Sequence, residues 1–165
     1  MLEQIFTLTF FTAFLAAAVR MAVPLIYAAL GEVFLEKTGI LNIGLEGVML
    51  GGAFGSFAGA FYSNSLLVGF LCGMLGGCLV SVIHGFLCIK LFQDQSVSGI
   101  ALNIFMLGVT SFGYKLMSAG GSYQQIETLK RIRIPVLSRI PLIGDAFFNQ
   151  DIMTYLVFVL VILAS

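Results

Sequence analysis

Long apolar runs broken by short polar patches set the rhythm of this chain. The first covers Ile5 to Val19, is interrupted by Arg20, and continues from Met21 to Leu30. Val48 to Tyr62, Leu66 to Ile89 and Val97 to Tyr114 follow, and Ile152 to Ala164 closes the chain before Ser165. A helix needs about 20 apolar residues to cross the hydrocarbon of a bilayer. The pattern therefore predicts an all-α, polytopic bundle with about four spans and the start of a fifth. The first span includes or abuts Arg20, and Pro24 is expected to weaken or kink it. Between the runs lie a polar patch at Gly31 to Lys37, an interrupted stretch at Thr38 to Gly47, turns at Ser63 to Ser65 and at Lys90 to Ser96, and a polar loop over 115–151. Residues 1–165 thus read as the N-terminal part of one membrane domain. The last run is too short to span, which suggests that the sequence continues in the whole protein.

Glycine is patterned as well as frequent. Gly51, Gly55 and Gly59 recur every four residues, as do Gly69, Gly73 and Gly77. Small residues at that spacing line one helix face and let two backbones approach closely. The plainer reading, that membrane helices are simply glycine-rich, stays open beside it.

Composition sharpens the picture. Of 165 residues, 59% are hydrophobic and 10% charged, against about 25% charged in a soluble domain. Mean hydropathy is +1.06, and membrane lipid is the solvent that such a chain requires. Eight basic and eight acidic residues balance, which argues against nucleic acid as a partner. The N-terminus opens on Glu3 where a signal peptide would be positive, so the first segment is expected to stay in the mature protein. Cys72, Cys78 and Cys88 have no CxxC spacing and are expected to be small buried hydrophobes, with no metal site.

No enzyme constellation is present: one histidine, no HExxH, no nucleophile elbow and no Walker P-loop. The chain holds no cofactor of its own on this reading. What remains is polar groups at membrane depth, where a central charge costs roughly 2.5–3.5 kcal/mol on insertion scales. Asn42 and Glu46 are four apart and would share a helix face. Glu46 either lines a path with Asn42, accepting hydrogen bonds from a solute's hydroxyl or N–H groups, or pairs with Arg20 or sits near Lys37. Asn103 suits the same solute groups or an interhelical hydrogen bond. His84 is a packing histidine or a ligand contact. Arg20 reads as structural, paired or snorkelling. Gln93 to Gln95 read as a solvated turn in which Gln95 caps the next helix. Lys130 to Arg133 is a solvated face or a docking surface for an acidic partner.

Two blocks carry a resemblance. The first is Arg20-Met-Ala-Val-Pro-Leu-Ile-Tyr-Ala-Ala-Leu-Gly31 followed by Thr38-Gly-Ile-Leu-Asn-Ile-Gly-Leu-Glu-Gly-Val-Met-Leu-Gly-Gly-Ala53. The second is Asp94-Gln-Ser-Val-Ser-Gly-Ile-Ala-Leu-Asn-Ile-Phe-Met-Leu-Gly108. Together they resemble the ABC importer permeases for simple sugars, nucleosides and branched-chain amino acids, nearest the nucleoside branch. A weaker block, Ile134 to Gly144, and the position of His84 agree. The resemblance implies a multi-pass subunit of the bacterial cytoplasmic membrane that passes a small-molecule substrate by alternating access around irregular helices. It implies three partners: a cytoplasmic ATPase subunit that binds the ATP, a second homologous permease and an extracytoplasmic substrate-binding lipoprotein. Substrate contacts would fall on Asn42, Glu46, His84 and Asn103. The segment that docks on the ATPase belongs to the family's later half, beyond these residues, so a truncated protein that transports nothing is the rival reading. Lys115, Lys130, Arg131, Arg133 and Arg139 would put the 115–151 loop inside by charge. The resemblance puts it outside, and that orientation is adopted.

Overall fold

The computed structural model describes residues 8–39, 41–119, 132–133 and 147–164. Helix α1 covers Leu8–Glu36, α2 Leu45–Ser63, α3 Leu66–Gly85, α4 Gln95–Ser118 and α5 Ile152–Ala164. The expected all-α bundle is what the described residues form. Strands β1 (Ile132–Arg133) and β2 (Asn149–Gln150) add one short antiparallel pairing within the polar loop. The Ile134 to Gly144 block, Lys130, Arg131, Arg139 and the first seven residues lie outside the described residues.

Several boundaries differ from expectation for local reasons. α1 runs through Pro24 without a break and carries on past Gly31 to Glu36, so the polar patch is helical. Asn64 ends α2 in the left-handed conformation, φ 52°, and its N–H returns to the Ala60 carbonyl. α4 starts at Gln95 because the Asp94 carboxylate accepts the Ser96 and Val97 N–H groups at 2.9 and 3.1 Å. Such a cap satisfies donors that the first helical turn leaves without partners. The cap is therefore Asp94 and not Gln95. α3 passes into a π-helical turn over Phe86–Lys90, a form found often at functional sites.

α1, α3 with its π turn, and α4 are each long and apolar enough to cross a membrane. α2 falls outside that group. Its 19 residues include Glu46 and several glycines, which dilute its apolar run, and α3 and α4 pack against it. On α3, Leu67, Leu71, Leu75, Leu79 and Val82 are all exposed and form one stripe along the helix.

The chain divides into two compact units, residues 1–31 with 129–165, and residues 32–128. In the first, Thr154, Val157 and Gln150 are fully buried. The Tyr27 hydroxyl donates to the Met153 carbonyl at 2.8 Å, and the Gln150 amide to the Ala16 carbonyl at 3.4 Å. Arg20 is exposed, its Nε donating to the Ala16 carbonyl one turn back at 3.2 Å.

In the second unit, α2 and α3 meet along the glycines. A Cβ on Gly55 would lie 2.7 Å from the Cys72 carbonyl oxygen, and one on Gly69 2.8 Å from the Ala60 Cβ. One on Gly76 would lie 2.6 Å from the Gly51 carbonyl oxygen. These separations are shorter than Cβ atoms tolerate, so only glycine permits the approach. Gly77, expected in the seam, is at its edge: a Cβ there would meet nothing nearer than 3.8 Å. Gly76 replaces it, since a helix face drifts and the contact steps by four and then by three residues. Val80, Leu102 and Met106 form the core where α3 and α4 meet α2, with Val48 and Leu50 packed on it. The cysteines depart from expectation. Cys78 is exposed, and Cys72 and Cys88 are half-buried, all three as free thiols.

Candidate functional site

The segment between α1 and α2 is irregular, as its glycines suggest. Gly39 adopts φ 82°, a conformation that side chains other than glycine's disfavour. Residues 41–42 adopt no regular structure and 43–44 turn into α2. Such a segment exposes backbone donors and acceptors, which must find partners at membrane depth. The helix offers little help of its own, because Gly44 stands at its N-cap with no side-chain acceptor.

Three side chains from other elements supply the partners. Glu32 Oε1, in the last turn of α1, accepts the Asn42 N–H at 2.7 Å. Gln95 Oε1, at the start of α4, accepts the Leu41 N–H at 2.9 Å. Asn103, in the middle of α4, makes two bonds. Its Oδ1 accepts the Gly47 N–H at 2.7 Å, and its Nδ2 donates to the Ile43 carbonyl at 3.1 Å. Asn103 thus caps the first turn of α2 from a neighbouring helix. Gly99 makes room for the approach: a Cβ there would lie 2.7 Å from the Gly44 nitrogen.

The four residues singled out from sequence fall into different places. Asn42 is buried, 6% exposed, and lies before α2, so it shares no helix face with Glu46. Glu46 is in the first turn of α2 and exposed. Among the described residues its carboxylate has no hydrogen-bond or ion-pair partner. Asn103 is half-buried and engaged at both ends of its amide. His84 is buried, 3% exposed. Its Nε2 lies 3.7 Å from Cys88 Sγ, which is 3.3 Å from Ser98 Oγ. Asn42 and Asn103 are thus joined through the loop, and Glu46 stands free beside it.

Glu32 and Gln95 are the residues that sequence reasoning missed. Glu32 sits in the polar patch at Gly31 to Lys37, and Gln95 in a stretch that reads as a solvated turn, where it was expected to cap a helix and not to tether the loop. The signal that singles out Glu32 is its place in the final turn of a helix running directly into a loop that needs acceptors.

A polytopic helical membrane protein with a side-chain-tethered loop between its first two helices is the class that these observations define. Residues 14–165 match the family described as branched-chain amino acid transport system permease components, and the chain belongs to that family. It is 40% identical over 136 residues to a guanosine ABC transporter permease protein of Bacillus subtilis, covering 78% of this chain and 43% of that one. It is 37% identical over 148 residues to a nucleoside ABC transporter permease protein of Lactococcus lactis subsp. cremoris, covering 86% and 47%. A putative glucose ABC transporter permease protein of Haloferax volcanii is 34% identical over 153 residues, covering 90% and 45%. The chain spans less than half the length of these relatives. No solved structure matches it.

Proposed function

We propose that the chain is part of the permease subunit of an ATP-driven nucleoside importer in a prokaryotic cytoplasmic membrane. The loop at 41–47 and the start of α2 line the translocation path, and the Glu46 carboxylate accepts hydrogen bonds from the nucleoside's ribose hydroxyl or base N–H groups. The observation that carries this reading is an exposed carboxylate, unengaged among the described residues, next to a loop held by other helices, in a chain similar to guanosine and nucleoside permeases. Asn103 acts by holding that loop and not by touching substrate. The partners are an ATPase subunit that binds the ATP, a second homologous permease and an extracytoplasmic substrate-binding lipoprotein.

The test is uptake of labelled guanosine and uridine by cells carrying the full-length protein, with membrane levels measured in parallel. A hydrogen bond to a charged group contributes about 1.5–3 kcal/mol. Glu46→Ala should therefore lower uptake roughly tenfold to a hundredfold at unchanged membrane level. Unchanged uptake would remove Glu46 from the path. Simple sugars are the second reading, favoured by the similarity to a putative glucose permease. Competition by unlabelled glucose decides between the two.

A further inference from the structure

α2 and α4 run side by side in the same direction. Gly47 meets Asn103 at one level, where the Asn103 Oδ1 accepts the Gly47 N–H. Further along both helices Phe57 meets Tyr114, with ring centroids 5.6 Å apart and planes tilted by 50°. At 3.6 residues per turn, a step of eleven residues returns to within about 20° of the starting face, about 16 Å along the axis. Phe57 therefore stands on the face of α2 that carries Glu46, and Tyr114 on the face of α4 that carries Asn103. Between the two levels these faces hold the exposed Ala53 on α2 and Thr110 on α4, whose hydroxyl donates to the Met106 carbonyl at 2.8 Å. Both side chains are small.

The aromatic level is firmly seated. The tip of the Phe54 ring abuts Gly113, where a Cβ would lie 2.4 Å from it, so a glycine beside Tyr114 lets the two helices close at this point. Phe61 supports Phe57 with centroids 5.9 Å apart. Tyr114 is held from one side and stays 53% exposed. Tyr62 is exposed further, at 76%, but sixteen residues from Glu46 places it on nearly the opposite face of α2, in the position of an interfacial tyrosine.

We propose that Tyr114, positioned by Phe57, is a stacking platform for the nucleobase at one end of the path whose other level is Glu46. Every base offers a π face to an aromatic ring, whatever its hydrogen-bond pattern, whereas a bare sugar offers none. The platform thus selects for a base, and Glu46 takes the polar groups. The spacing exceeds the length of a nucleoside, so the two levels are successive contacts. With the 115–151 loop outside, Tyr114 is met first on entry. This deepens the nucleoside reading and rests on Glu46 lining the path.

Tyr114→Trp tests the contact directly, since it keeps an aromatic surface and introduces tryptophan where residues 1–165 have none. In the full-length protein in lipid nanodiscs, guanosine should quench the added emission saturably, and ribose and glucose should leave it unchanged. Tyr62→Trp, on the other face, should not respond. In cells carrying the full-length protein and its proposed partners, Tyr114→Leu should lower guanosine uptake about tenfold at unchanged membrane level, with uridine reduced less, and Tyr114→Phe should retain it. Emission of Tyr114→Trp that guanosine leaves untouched, or quenches no more than that of Tyr62→Trp, would overturn the platform even where the unmodified protein imports guanosine and Glu46→Ala does not. Full guanosine uptake by Tyr114→Leu would overturn it as well. An unmodified protein that imports glucose and no nucleoside would overturn the nucleoside reading itself, and the platform with it.

Discussion

The glycine seam allows a comparison between adjacent positions, Gly76→Ala and Gly77→Ala. A Cβ at position 76 would sit 2.6 Å from the Gly51 carbonyl oxygen, whereas one at 77 would meet nothing within 3.8 Å. Ordinary van der Waals contact begins near 3.4 Å, so α2 and α3 must separate by several tenths of an ångström to admit the first methyl and not at all for the second. The obstacle is backbone, so no side chain can rotate away. Overpacking of this kind costs about 1–3 kcal/mol. In lipid, no hydrophobic drive offsets the lost contact. Both variants gain the same helix propensity, about 1 kcal/mol per glycine replaced by alanine, so the difference between them isolates the clash. The assay is reversible unfolding of the full-length protein in mixed micelles. Gly76→Ala should be less stable than Gly77→Ala by about 1–3 kcal/mol. Equal stabilities within about 0.5 kcal/mol would refute the reasoning, as would the reverse order.

Three other outcomes follow from the tethers and the ends of the helices. Asn103→Leu removes two bonds to the loop and leaves the Gly47 N–H and Ile43 carbonyl unpaired, at a cost of about 1–3 kcal/mol; hydrogen exchange at the Gly47 amide should quicken roughly tenfold to a hundredfold, and unchanged exchange would contradict the tether. Asp94→Ala removes the α4 cap and should cost about 1 kcal/mol, with Asp94→Asn retaining most of it in the same unfolding measurement. A cysteine at Arg133 in an otherwise cysteine-free protein should react from outside the cell with a membrane-impermeant maleimide. Reaction only from the cytoplasmic side would reverse the adopted orientation of the 115–151 loop.

The helices were readable because their apolar runs are long and their breaks carry known signals. Asn64 marks the end of α2 and Gly39 the irregular loop, whereas the cap of α4 is Asp94 and not the expected Gln95. The seam was readable because its glycines repeat every four residues, although Gly76 rather than Gly77 completes it. Helix–helix register depends on packing that a repeat alone does not fix. The shared face of Asn42 and Glu46 was lost because α2 begins only at Leu45, after the turn at residues 43–44. Glu32 was hidden in a polar patch, one of three charged residues within six positions. Its role arises from a bond across ten residues to the Asn42 N–H, and no periodicity announces such a bond.

The central claim is that this chain belongs to a nucleoside importer. It is tested most directly by measuring uptake of labelled guanosine in cells that express the full-length protein with the proposed ATPase, second permease and binding-protein partners, challenged with excess uridine, glucose or leucine. The expected result is ATP-dependent guanosine uptake that unlabelled nucleosides suppress and glucose and leucine leave unchanged. Uptake suppressed by glucose or leucine and untouched by nucleosides would contradict it.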